Sequence, residues 1–132
     1  MSNGYSGQER RKFKRTKANF IVMFKVDSPL DLRFLFGSRE NDAIMLDLGE
    51  GGAGILTNLK VPSLAMLAIK FILVNPNAFK EEERVRPIEA KGEVRYNLFT
   101  KEEAYRLGIC FTNIAENDWH LIANFTRMAK SA

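Results

Sequence analysis

The sequence predicts an all-β-dominated domain, an antiparallel barrel with one α-helix at its C-terminal end. Three observations carry this. Runs of β-branched and aromatic residues recur with period two. No stretch of helical period separates one run from the next, which favours an antiparallel barrel. Only the final stretch, about 114–130, repeats its apolar residues at helical spacing.

The first strand is Ala18 to Val26, in which Phe20, Val22, Phe24 and Val26 alternate with their neighbours. Ser28-Pro29 closes it, and Leu32-Arg33-Phe34-Leu35-Phe36 before Gly37 reads as a short strand or an apolar connection. Ala43 to Asp47 is the next strand. It runs into Leu48-Gly49-Glu50-Gly51-Gly52-Ala53-Gly54, where four glycines among seven residues predict a shaped loop. Ile55-Leu56-Thr57 resumes the sheet, and Ala65 to Val74 forms a long strand ended by Asn75-Pro76-Asn77. An acidic, solvated loop through Glu83 leads to a strand from Arg86 to Leu98, with Ile88, Ala90, Gly92, Val94 and Tyr96 on one face. Tyr105 to Phe111 is the last strand. Cap candidates and acids from Asn113 to Asp118 then open the helix, whose Trp119, Leu121, Ile122 and Phe125 are read as the plug of the barrel.

Composition narrows the function. At 132 residues, 45% hydrophobic and 27% charged, the chain has the size and composition of one globular domain. Its longest apolar run, Leu64 to Val74, is broken by Lys70 and too short to span a bilayer; with no signal-peptide pattern at the start, a cytoplasmic protein without membrane insertion is expected. The single cysteine, Cys110, excludes an internal disulfide and reads as a small core residue. The single histidine, His120, has no partner at ligand spacing, so no metal site is expected, and neither a Ser-His-Asp nor a Cys-His arrangement is legible. The chain reads as a non-enzyme without a cofactor.

The charge is concentrated at one place. The chain carries +4, yet Met1 to Lys17 holds six cations against Glu9 alone, a local +5 that leaves the remainder at −1. The core of this excess is Arg10-Arg11-Lys12-Phe13-Lys14-Arg15. The planar fork of arginine holds a phosphate or the Hoogsteen edge of guanine with paired hydrogen bonds and stacks on a base. Asp47, at a strand end, offers an acceptor suited to the N1–H and N2–H₂ edge of guanine, and the glycines after it let backbone N–H groups approach a ligand. The arm and the glycine-rich loop are complementary halves of a purine nucleotide site. The sequence divides into a flexible basic arm, 1–15, and a barrel with its helix, 16–132.

With these residues in place the sequence resembles the PilZ domain family. The hallmarks of that family are an RxxxR arm and a (D/N)xSxxG loop on a six-stranded antiparallel barrel that binds cyclic di-GMP. Here the arm is Arg11-Lys12-Phe13-Lys14-Arg15 and the loop runs from Asp47 to Gly52, and the similarity continues through Gly92-Glu93-Val94-Arg95-Tyr96 and Arg106-Leu107-Gly108-Ile109-Cys110-Phe111. The resemblance implies a six-stranded barrel and a cyclic di-GMP receptor in which Arg11 and Arg15 bind guanine and phosphate, Asp47 binds a guanine edge and Gly52 shapes the loop. Tyr96 matches a position where an aromatic stacks on guanine, or else is a half-buried barrel residue. Gly49 stands where the family usually has serine, which removes one hydroxyl contact and weakens the site by about 0.5–1.5 kcal/mol. An arginine at Arg10 goes with two stacked ligand molecules per protomer. Ligand binding is expected to order the arm and signal to an unidentified protein partner. Two other readings stand beside it: a PilZ-like interaction scaffold without ligand, and a small basic barrel that binds RNA or single-stranded DNA through the same arm.

Overall fold

The computed structural model describes residues 15–36 and 40–129. Six strands, β1 (Arg15–Ser28), β2 (Asn41–Gly49), β3 (Gly52–Thr57), β4 (Met66–Val74), β5 (Val85–Phe99) and β6 (Tyr105–Ile114), close into a barrel in the order β1-β2-β3-β6-β5-β4. Every neighbouring pair is antiparallel. A short helix, α1 (Leu30–Phe36), follows β1, and α2 (Glu116–Ala129) follows β6.

The predicted period-two faces build the interior. Val22, Phe24 and Val26 of β1 point inward with Met45 and Leu48 of β2, Leu67, Ile69, Phe71 and Leu73 of β4, and Leu107 and Ile109 of β6. On β5 the predicted face is also the inner one through Ile88, Ala90, Gly92 and Val94, all buried. The register then slips between Val94 and Tyr96, so that Tyr96 pairs with Gly108. A bulge of this kind re-aims the side chains beyond it, and Tyr96 lies half-buried on the outer wall rather than inside.

Four expectations are corrected. Leu32 to Phe36 is helical, not a strand or an extended connection: it lies in α1, whose Arg33 N–H donates to Pro29 O at 3.1 Å, with Asp31 in its first turn and Arg33 in its last. Seven residues are too few to show a helical period. The glycine-rich stretch is not a long loop, because β2 runs through Gly49 and β3 begins at Gly52, leaving only Glu50 and Gly51 as the turn. Cys110 is half-buried on the outer face, since it alternates with the fully buried Ile109. Trp119 is half-buried and stands outside the core, edge-on to His120; Leu121, Ile122 and Phe125 form the plug. The Phe125 ring meets Phe20 at 5.5 Å between centroids, and Phe20 stacks on Phe71 at 6.2 Å, which anchors α2 to β1 and β4. α2 starts at Glu116 because β6 extends through Asn113 and Ile114.

Arg15 is the first residue of β1, paired with Gly49. Arg15, assigned to the arm from the sequence, is the first described residue and already lies in β1. Arg10 and Arg11 lie outside the described residues.

Candidate functional site

The outer face of β3 and β6 carries glycines that lie buried beneath side chains from neighbouring strands. Gly52 pairs with Cys110 and Gly54 with Gly108, so three glycines face outward on two adjacent strands. Each is there for room rather than for backbone freedom. A Cβ on Gly52 would stand 2.0 Å from Ile109 O and 3.0 Å from Arg15 Nη2. One on Gly54 would stand 3.0 Å from Asp47 Oδ2, and one on Gly108 would strike the Tyr96 ring at 2.0 Å. The glycines thus let Arg15, Asp47 and the tyrosine ring lie directly over the backbone of β3 and β6.

Asp47 is placed on this face by its own irregularity. Register slips between Met45 and Asp47, and Asp47 pairs with Gly54 across β3 and with Lys17 across β1. Its carboxylate is only 14% exposed and gathers three donors. Oδ1 accepts from the Gly54 N–H at 2.9 Å and from Arg15 Nη1 at 3.3 Å, and Oδ2 accepts from Arg106 Nη2 at 2.7 Å. The Arg15 guanidinium also donates through Nη2 to Ile109 O at 3.3 Å, across the clearance left by Gly52. Two guanidiniums on one carboxylate leave a net positive cluster in a half-buried setting, where attraction to an anion is screened less than at an open surface.

The structure brings Arg15, Asp47, Gly52 and Tyr96 onto one wall of the barrel. Gly52 acts differently from its expected part: it lies within β3 and makes space for the Arg15 side chain, instead of shaping a loop. Gly49 is buried at the end of β2, opposite Arg15 in register. Arg106 was quoted in the sequence only as part of a strand signature, and it makes the shortest contact of the cluster. Fifty-nine positions separate it from Asp47, and the pairing of β2 with β3 and of β3 with β6 brings the two together.

Among the described residues no group of histidine, cysteine, aspartate or glutamate is arranged to hold a metal ion. His120 is exposed, 3.9 Å from Glu116 on the same helix. No helix among the described residues is long and apolar enough to cross a membrane. A recess lies on the wall formed by β1, β4 and β5, where Glu40 and Lys70 pair at 2.6 Å. Their hydrogen bond holds the Glu40 carboxyl below and the Lys70 ammonium above their ordinary pKa values.

Comparisons with known proteins agree with this fold. Residues 9–127 match the model of the PilZ domain. No curated protein sequence matches the chain. Among solved structures, the Bacillus subtilis inhibitor of motility MotI/DgrA superposes with a TM-score of 0.71 at 18% identity over 92% of this chain and 52% of its own. The PilZ domain of Escherichia coli YcgR with c-di-GMP gives 0.53 at 16% identity over 92% of this chain and 95% of that domain. The K. pneumonia MrkH-c-di-GMP complex gives 0.58 at 13% identity, covering 90% of this chain and 51% of the other. The chain therefore spans about half the length of the inhibitor of motility and of MrkH. At these identities the structural likeness speaks for the fold. With a family model matched from residue 9 to 127, the chain belongs to the PilZ domain family.

Proposed function

We propose that this chain is a non-catalytic receptor for cyclic di-GMP, and that the wall bearing Arg15, Asp47, Gly52, Gly54, Gly108 and Tyr96 is its ligand site. The observation that carries this reading is the contact between the two motif halves: Arg15, which ends RxxxR, and Asp47, which opens the second motif, lie 32 residues apart and meet at 3.3 Å. Support also comes from two proteins of the same fold, YcgR and MrkH, whose structures hold c-di-GMP.

Each group has work suited to its chemistry. The Arg15 fork offers paired donors to a phosphate or to the O6/N7 edge of guanine. A carboxylate has about four lone-pair sites; Asp47 uses three of them on Gly54, Arg15 and Arg106. The remaining one accepts from the guanine N1–H or N2–H₂, whereas adenine has an acceptor at N1 and no amino group at C2. The glycines let Arg15, Asp47 and Tyr96 lie close against the barrel, so that a flat base meets these side chains on the outer wall. Tyr96 rests one side on Gly108, leaving the other to stack on guanine.

Arg10 and Arg11 precede Arg15 by five and four residues, and an extended chain spans about 3.3–3.6 Å per residue. Both are within reach of the same wall. In this reading they close over the ligand, Arg10 serves a second, stacked molecule, and the ordered arm presents a changed surface to a protein partner. Calorimetric titration with cyclic di-GMP, beside cyclic di-AMP, tests the receptor. Guanine-selective binding with a ratio near two supports the full reading, a ratio near one removes the role of Arg10, and no binding overturns the receptor.

A further inference from the structure

We infer that Arg106 is a third ligand-binding arginine, contacting a phosphate of the bound dinucleotide, and that Asp47 holds it ready for this. The inference rests on the receptor reading above and names a recognition residue outside both hallmark motifs.

The argument begins with charge. Asp47 already has a counter-charge in Arg15 and an amide donor in Gly54. One guanidinium neutralises a carboxylate, and a second brings two like charges close together, at an electrostatic cost that neutralising Asp47 does not require. Arg106 nonetheless makes the shortest of the three contacts, 2.7 Å. A second cation is useful there if an anion arrives.

Position gives the same answer. Arg106 lies on β6 between Leu56 of β3 and Leu98 of β5 in register, and its side chain extends along the outer wall to Asp47. It can lie flat there because its neighbours in the next row, Gly54 and Gly108, have no side chains. Tyr96, opposite Gly108, is its diagonal neighbour on β5, within reach of long side chains.

The two arginines of the cluster differ in exposure. The Arg15 side chain is 13% exposed and the Arg106 side chain 38%. A guanidinium carries five N–H donors in a planar fork, and the structure engages Arg106 through Nη2 with Asp47. The more exposed guanidinium, with the tyrosine that would stack on the base as its diagonal neighbour, is suited to a phosphate attached to that base's sugar.

The test is a titration of cyclic di-GMP into the wild-type chain, Arg106→Ala and Arg106→Gln, at low and at physiological salt, with the thermal midpoint of each. Arg106→Gln keeps a donor for Asp47 and loses the charge. Both variants are expected to fold and to bind at least about tenfold more weakly, with a flatter salt dependence. If Arg106→Ala does not fold, the glutamine variant decides alone. Wild-type affinity in either folded variant overturns the inference, as does full recovery by glutamine, which would make Arg106 a support for Asp47 and nothing more. Absence of binding by the wild-type chain overturns the receptor reading itself, and the role of Arg106 with it.

Discussion

Two charge clusters stand on different walls of this barrel, and the closer pair is the one of less consequence. Glu40 and Lys70 meet at 2.6 Å, but the lysine side chain is 52% exposed. Arg15 and Asp47 meet at only 3.3 Å, yet both side chains are at most 14% exposed, and the carboxylate also holds Arg106 and a backbone amide. The first is a surface pair, screened by salt and offset by the entropy of holding two long side chains. The second is a hydrogen-bonded network in a half-buried place, where removing one member weakens the contacts of the others. Separation alone therefore says little; burial and shared partners decide which cluster matters.

The largest expected effect follows from removing Arg15. Arg15→Ala deletes the donors to Asp47 and to Ile109 O together with the proposed ligand fork. Charge-assisted bonds contribute about 1.5–3 kcal/mol each, so calorimetry should find cyclic di-GMP binding weakened by about a hundredfold or more. Near wild-type affinity would place the site elsewhere.

Next comes Asp47→Asn, which keeps the shape and removes the charge between two guanidiniums. Stability should fall by about 1–3 kcal/mol, read from denaturant unfolding, and the preference for cyclic di-GMP over cyclic di-AMP should shrink. An unchanged preference would deny Asp47 any part in reading the base.

Smaller still is Gly108→Ala. The new Cβ would meet the Tyr96 ring at 2.0 Å and push the ring off its support. Overpacking of this kind costs about 1–3 kcal/mol, but tyrosine can swing away, so the lower part of that range is expected, with weaker ligand stacking. Gly52→Ala is the sharper contrast, because the obstruction there is the backbone oxygen of Ile109, which cannot swing aside. A greater loss of stability in Gly52→Ala than in Gly108→Ala, measured by thermal unfolding, is the outcome that fits.

The smallest effect belongs to the other wall. Glu40 has its pKa lowered and Lys70 its pKa raised by their mutual hydrogen bond. The Glu40 contribution is present above the ordinary carboxylate pKa and lost as pH falls through its lowered value. That of Lys70 is present below its ordinary pKa and lost as pH rises through its raised one. Between those limits the pair is intact, and Glu40→Gln should leave stability near neutral pH and ligand affinity almost unchanged. A clear loss of cyclic di-GMP binding in this variant would blur the contrast between the walls.

What was legible in the sequence follows the same division between local and distant causes. Strands such as Val22 to Val26 announce themselves because inward and outward residues alternate along the chain itself. Helix α1 did not, since its seven residues make fewer than two turns, and Trp119 lies apart from the plug because apolar character does not say which side of a helix meets the barrel. The glycines of residues 49–54 were noticed and misread: they suggested a loop, whereas Gly52 and Gly54 give room to side chains from β1 and β2. Tyr96 was found by resemblance, but the bulge that turns it outward depends on pairing with β6. Arg106 left no local trace, because its relation to Asp47 exists only through the pairing of β2 with β3 and of β3 with β6.

The most direct measurement of the central claim is a two-dimensional amide spectrum of the labelled chain titrated with cyclic di-GMP. The amides of Gly52, Gly54 and Gly108 should shift together with saturation, Gly54 most clearly because its N–H donates to Asp47, while Glu40, Lys70 and Glu89 on the other wall stay in place. Shifts confined to that other wall, or none at the three glycines while ligand is bound, would contradict the account.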